Sequence, residues 1–455
     1  MPRSLARALL ALGVIGEFGA FSVYLHVDGG RHGHAWLEVV ATVWFVAAVV
    51  GLRAARLGAR EHVVLIFLVG AALQIVAMTR APQTSDDDFR YIWDAKVQLH
   101  GVDPYRYPPQ AVQLAPLRSA PLFGTSGPCT YSIPGGCTAI NRPSVHTIYP
   151  PVAEAAFVGV RVLSFGDRGV HLPLQLAAGL GCCLITLLLL RRSRTRGDPS
   201  WWVALWAWCP VVVSEFGNNA HIDWLAVLLV VLALRAFETG HSGRVGVLLG
   251  AAIATKLYPA VLLVSMLRRR PWWVIGSAFG FVALTYLPHV AAVGTQVIGY
   301  LPGYLHEEGY SSGNRFILLG AVFPHPLDTV VGLLVVGLAT WWAFARRHRV
   351  PPEMTGVVVF GMVLLVATPH YGWYAAMLIA LIALSGRVEW LPVGFASSFA
   401  YLTNGSVPGL TIYSISLGLT ALAMVVRYRD SLRTCLPYAS TSTAPSRSSP
   451  WMPRR

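Results

Sequence analysis

The chain has 455 residues, of which 55% are hydrophobic and 12% charged, about half the charged share usual in a soluble globular protein. Together with a mean hydropathy of +0.56, this argues against a soluble multidomain enzyme and predicts a polytopic membrane protein. Lys plus Arg outnumber Asp plus Glu by 35 to 21, a net charge of +14 that in a soluble chain would suggest nucleic acid. Here the basic residues sit in short clusters between apolar runs, the pattern of topology signals, and no nucleic-acid partner is expected.

In chain order, apolar runs long enough to span fall at 5–25, 36–54 and 62–78. Arg3 and Arg7 precede the first, and Arg53, Arg56 and Arg60 separate the second from the third, so the N-terminus and this connection are expected in the cytoplasm. The first run reads as an uncleaved anchor, because no small-residue cleavage site follows it. Segment 80–151 is then external and far too long for an ordinary connection, while its Trp, Tyr and Pro content argues against disorder. Run 152–165 is too short to cross comfortably. It is expected to lie on the outer interface with Arg161 and Arg168 toward water, which keeps Arg191, Arg192, Arg194 and Arg196, after run 172–190, inside.

Run 201–216 is expected to lead outward, 217–223 to turn, and 224–237 to return to Arg235 and Arg244. A single span over 243–267 would leave Arg268, Arg269 and Arg270 outside, and Pro259 interrupts it just after Lys256. Two half-helices turning at Lys256, Leu257, Tyr258 and Pro259 resolve the conflict, and such a turn is tolerated at membrane depth where it lines a watery cavity. Further spans are expected at 272–289, 327–345, 357–369, 373–384, 390–402 and 410–426, with Arg346, Arg347, Arg349, Arg387, Arg427 and Arg429 inside. The predicted fold is all-α: a polytopic bundle of about twelve crossings plus one half-helix hairpin. It divides into N-terminal helices (1–79), an external loop with an interfacial helix (80–170), the main bundle (171–430) and a disordered cytoplasmic tail (431–455).

The polar residues that topology leaves unexplained gather on the external side. Asp86, Asp87 and Asp88 form the densest cluster. Such a run is often a helix N-cap, but adjacent acids at a membrane surface repel one another, raise a pKa, and suit a general base or a cation site. Other external groups are Asn218, Asn219, His221 and Asp223; Glu307, Glu308, Tyr310, Asn314 and Arg315; and His370, Tyr371 and Tyr374, where aromatic residues also serve as interfacial anchors. Lys256 stands apart, because an ionisable residue deep in a half-helix is functional by default. Acids beside cations at an outer-leaflet cavity fit transfer of a sugar from a lipid phosphate. A cation stabilises the departing phosphate, and an Asp takes the proton of the acceptor hydroxyl. Neither a phosphate loop nor a metal-ligand spacing is present, so no cofactor or metal is expected. Cys129 and Cys137, eight positions apart, bracket Pro134, Gly135 and Gly136, and a disulfide is expected between them in an oxidising compartment.

Ser85-Asp86-Asp87, Arg90-Tyr91, Trp93-Asp94, Gly101, Asp103-Pro104-Tyr105 and Tyr149-Pro150-Pro151 together resemble the first external loop of GT-C superfamily membrane glycosyltransferases, especially the actinobacterial polyprenyl-phosphate-mannose-dependent α-mannosyltransferases. Asn219 to Asp223 is similar to that family's Gly-His-Asn-Asp-like turn, and Lys256 to Pro259 to its Lys-x-x-Pro. The resemblance implies an inverting transferase with its site on the outer face of the cytoplasmic membrane, a polyprenyl-phosphate sugar donor, mannose first with arabinofuranose or glucose as alternatives, and a glycolipid or glycan acceptor. The resemblance places the family's catalytic Asp at the start of this loop, and spacing to Tyr91 and Gly101 favours Asp87 as its counterpart, with Asp86 the neighbouring register. Lys256, His370, Arg315 and Arg90 are expected to hold the donor phosphate. Asp88, Tyr91, Asp94, Tyr105, Asn219, His221, Asp223, Tyr258, Tyr371 and Tyr374 are expected to bind substrate. A transporter or lipid flippase is the rival reading, since transporters also use broken helices with a buried Lys.

Overall fold

The computed structural model describes residues 1–27, 30–124, 129–164 and 170–435. Arg168 and residues 436–455 of the expected tail lie outside the described residues. Helices α1 (Arg3–Tyr24), α2 (Gly30–Ala54) and α3 (Ala59–Ala77) come first. The first two pack without intervening side chains, since a Cβ on Gly13 would come within 2.4 Å of the Ala48 backbone, and one on Gly51 within 2.4 Å of that of Leu10. Small residues at a crossing allow this approach, and van der Waals contact then holds helices whose other faces meet lipid.

The long loop carries α4 (Asp87–Leu99), a two-stranded antiparallel hairpin of β1 (Tyr131–Ile133) and β2 (Gly136–Thr138), and α5 (Pro151–Leu163). The hairpin is a small strand element in an otherwise helical chain. Cys129 and Cys137 are joined as a disulfide with Cα atoms 5.4 Å apart. Helix α5 has Pro at its first position, where the missing N–H costs nothing, and it packs on α4 through Tyr91 and Phe157, whose rings stack at 4.3 Å.

Next come α6 (Leu172–Arg196) and a segment expected to be one span but found broken. Helix α7 (Trp201–Ala207) stops before Pro210, α8 covers only Pro210–Val212, and a π-helical turn follows at Val213–Asn218. Pro210 cannot donate to the preceding turn and its ring crowds it, so the helix restarts there. Helix α9 (Asp223–Glu238) leaves at 119° to the Pro210–Asn218 stretch. Helix α10 (Ser242–Ile253) and a 3₁₀ helix at Tyr258–Met266 form the half-helix hairpin. Twelve α residues and nine 3₁₀ residues each rise about 18 Å, so the second leg returns to the level of the first. Ser242 Oγ accordingly donates to the Arg269 carbonyl at 3.1 Å.

Helix α11 (Pro271–Val293), the short α12 (Leu301–Glu307) and α13 (Ile317–Gly320), and α14 (Leu327–Arg346), α15 (Pro352–Ala367), α16 (Ala375–Ser385), α17 (Leu391–Thr403) and α18 (Gly409–Cys435) complete the bundle. The last continues into the segment expected to be tail. Among the described residues, seven helices are long and apolar enough to cross a membrane, or eight counting the bent pair. Several of the expected twelve crossings are thus shorter helices packed inside the bundle. Helix α16, for instance, is buried along its whole length, whereas α11 and α14 bury only two and three of their residues. The fold is an all-α polytopic membrane bundle.

The two ends of this bundle differ in chemistry. At one, Arg192 lies 2.6 Å from Glu238 of α9 and 2.8 Å from Glu353 of α15, and donates to the Leu384 carbonyl of α16 at 3.1 Å. At the other, Gln175 donates to the Arg80 and Asn218 carbonyls at 2.8 and 2.7 Å. The long loop is fastened over this second end by Asp103 with His289 at 2.7 Å and Arg142 with Glu307 at 2.5 Å.

Candidate active site

Below the loop lies a cavity of about 710 Å³. Its wall includes Asp86 and Asp87, five cationic side chains (Arg31, Arg90, Arg142, Lys256, Arg315), several tyrosines, and an apolar side of Leu257, Leu301, Leu305, Phe360, Val363 and Leu364. Every element that the sequence marked by a polar motif contributes to it or supports it.

The three aspartates separate because a helix turns about 100° per residue. Asp86 is the N-cap of α4, yet its carboxylate does not cap; it accepts from Tyr131 Oη at 2.5 Å and Asn141 Nδ2 at 2.8 Å. Asp87 accepts from the same Asn141 amide at 2.7 Å and from Tyr149 Oη at 3.3 Å. Asp88 points the other way. It is fully buried against His171, and burial pushes its carboxyl above the usual range, with the His171 contact opposing. Desolvation is the first cause of the raised Asp88 pKa, ahead of like-charge repulsion from its neighbours.

Lys256 sits at the break between α10 and the 3₁₀ leg. Its Nζ is 3.3 Å from Asp223 Oδ2 and 5.1 Å from the centre of the Tyr149 ring. Tyr149 therefore touches Asp87 with its hydroxyl and Lys256 with its face, placing a carboxylate and a cation on the two sides of one side chain. Arg90 gives its Nε to both oxygens of Asp94 at 2.9 Å and its Nη1 to the Val145 carbonyl at 3.3 Å; its Nη2 is buried without a hydrogen-bond partner. Arg315 is held by Glu308 at 2.5 Å. Tyr258, Tyr371 and Tyr374 line the cavity, and Tyr374 shares a hydroxyl contact of 2.9 Å with Tyr304.

Other expected site residues are supports rather than wall. Asn219 Nδ2 donates to Thr84 Oγ1 at 2.8 Å and its Oδ1 accepts from the Thr84 amide at 3.3 Å, while Asn218 Oδ1 accepts from the Gln83 amide at 2.9 Å. These two buried amides clamp the strap that delivers Asp86 and Asp87. His221 and Asp223 are wholly buried behind the wall. Tyr91 is packed between Tyr149 and Phe157, Asp94 serves Arg90, and Tyr105 donates to the Tyr149 carbonyl at 2.6 Å. His370 is exposed and is not part of the cavity wall. Sequence reasoning missed Asn141 and Tyr131, which bond the aspartates, and Arg142 and Arg31, which line the same cavity, because the loop and α2 bring them there from positions far away in the chain. Arg142 is fixed by Glu307, whose carboxyl this contact holds below its usual range.

Residues 147–369 match the model of Glycosyltransferase family 87. No curated protein and no solved structure matches the chain. The matched stretch holds Tyr149, the Asn218 to Asp223 turn, Lys256 and Arg315; Asp86 and Asp87 lie before it. The match indicates a membrane glycosyltransferase, which requires a sugar donor, an acceptor and a lipid surround.

Proposed function

We propose that the chain transfers a sugar, with mannose the first choice, from a polyprenyl monophosphate to a glycolipid or glycan acceptor, with inversion, at the outer face of the cytoplasmic membrane. The observation that carries this reading is the single Tyr149 side chain between Asp87 and Lys256, in a cavity with an apolar flank. Asp87 takes the acceptor's proton as its oxygen bonds to the anomeric carbon. The bond from that carbon to the phosphate oxygen breaks, and the electron pair leaves with the phosphate. Lys256, with Arg90 and Arg315, supplies the fixed positive charge that the leaving dianion needs. Arg90 fits this role through its unpartnered Nη2. The apolar flank suits a prenyl chain. Because the new bond forms opposite the departing phosphate, a β-linked donor yields an α-linked product.

The test uses membranes containing the protein, given labelled polyprenyl-phosphate-mannose or, separately, a nucleotide sugar with carrier synthesis blocked. Label should reach the acceptor only from the lipid donor. Transfer from the nucleotide sugar alone would sink the lipid-phosphate reading, and transfer from the glucose or arabinofuranose lipid in place of mannose would change the sugar.

A further inference from the structure

His221 is fully buried at the bend between the π-helical turn and α9. Its Nδ1 lies 2.7 Å from Glu215 Oε2, and its Nε2 lies 2.9 Å from Ser85 Oγ and 3.8 Å from Asp87 Oδ2. The charged groups that face it are Glu215 from the π-helical turn, Asp87 from α4 and Asp223 from the start of α9. Lys256 lies beyond Asp223, 3.3 Å from that carboxylate, and the Trp373 ring covers the imidazole at 4.1 Å. With its one N–H on Nδ1 toward Glu215, a neutral ring would turn the Nε2 lone pair toward Ser85 Oγ at 2.9 Å, with the Asp87 carboxylate behind it at 3.8 Å. An imidazolium donates to both Glu215 and Ser85 and turns no lone pair toward the Asp87 carboxylate.

Resting on the assignment of Asp87 as the base, we propose that His221, held by Glu215, is a positioning residue: a buried imidazolium that keeps Asp87 ionised and fixes Ser85 beside it. The imidazolium sets a positive charge 3.8 Å from Oδ2 of the base, among the acids that surround it. Glu215, His221 and Ser85 also have the outline of an activated-serine arrangement. A ring protonated on both nitrogens has no lone pair with which to take the serine proton, so Ser85 is a contact here and not a nucleophile.

The experiment measures kcat and KM against pH, using whichever polyprenyl-phosphate sugar among mannose, glucose and arabinofuranose the unaltered protein turns over. In His221→Gln, the acidic limb of kcat should move up by about one pH unit, because Asp87 without its cation holds its proton to higher pH. KM for the donor should change little. Glu215→Gln, which keeps size and an acceptor but loses the counter-charge, should move the limb in the same direction, and it decides the matter if His221→Gln does not fold. A kcat lowered evenly at every pH, with the limb in place, overturns the proposal and leaves His221 a packing residue. Ser85→Ala should stay within about tenfold of the unaltered rate; its loss of all turnover, with Asp87→Asn tolerated, would assign the chemistry to the serine. Asp87→Asn tolerated with Ser85→Ala active removes the base assignment itself, an outcome separate from a limb that fails to move.

Discussion

A carboxylate at a helix N-cap ordinarily binds the amides of the first turn. Asp86 instead accepts from Tyr131 and Asn141, and Asp87 from Asn141 and Tyr149, so the strap spends its acids on the cavity and leaves the helix end to its backbone. Asp87→Asn keeps size but cannot accept the acceptor's proton, and turnover should fall by about 10²- to 10⁴-fold while donor binding survives. Asp88→Asn should leave turnover nearly intact, since that side chain faces His171. Asn141 orients both acids through one amide, so Asn141→Ala should lower kcat by about tenfold in an otherwise unaltered protein, with little added loss when combined with Asp87→Asn, as expected of residues acting as a unit. Lys256 needs a different design. Its removal strands Asp223, fully buried, and breaking such a pair typically costs about 3–5 kcal/mol. Lys256→Met combined with Asp223→Asn removes both charges together. If Lys256 holds the phosphate, the pair of changes should restore thermal stability in detergent without restoring donor use; recovery of donor use would leave Lys256 a structural partner only.

At the scale of elements, what could be read in advance followed from periodicity and from arginine clusters, and what could not followed from tertiary contact. The half-helix hairpin was legible because Arg268 to Arg270 could not be reconciled with a single span, and Pro259 marked the break. That α5 is a short helix separate from the spans was legible from its length. Pro210 carried the same signal inside 201–216, but the run has the length of one span and no arginine conflict forced it apart, so the break there was not legible. Likewise, Asn219 and His221 carried a motif, but whether a motif residue touches substrate or holds the backbone that does is decided by burial, which one chain of letters does not contain. The β-hairpin supplies Tyr131 to Asp86, and the Cys129–Cys137 link closes its base. Cys129→Ser with Cys137→Ser should therefore reduce kcat severalfold and sensitise the loop to protease, with Tyr131→Phe giving part of the same loss. Unchanged kcat in both variants would make the hairpin a cover with no part in setting Asp86.

For the whole molecule, the strongest physical argument is the separation of charge between its two ends. Arg192 and Arg196 with Glu238 and Glu353, and Arg387 and Arg427 with Glu389, gather at the end where α6 and α9 finish and α15 begins. The cavity lies at the end where α6 and α9 begin and α15 finishes. Cytoplasmic flanks carry the excess of Arg and Lys, so the arginine end is expected inside and the cavity outside. The hairpin makes the expectation sharp. Ser242 and Arg269 meet at 3.1 Å, so Arg269 must share a side with α10's start, whereas a continuous span over 243–267 would place it opposite. With Cys435 replaced by Ser to lower the background, Arg269→Cys and Arg347→Cys should resist a membrane-impermeant maleimide in intact cells and react once the cells are opened. Asn314→Cys, exposed near the cavity mouth, should react in both. Labelling of Arg269→Cys from outside, with Arg347→Cys protected, would mean that segment crosses, and Lys256 would then lie within a spanning segment and not at the tip of a re-entrant one.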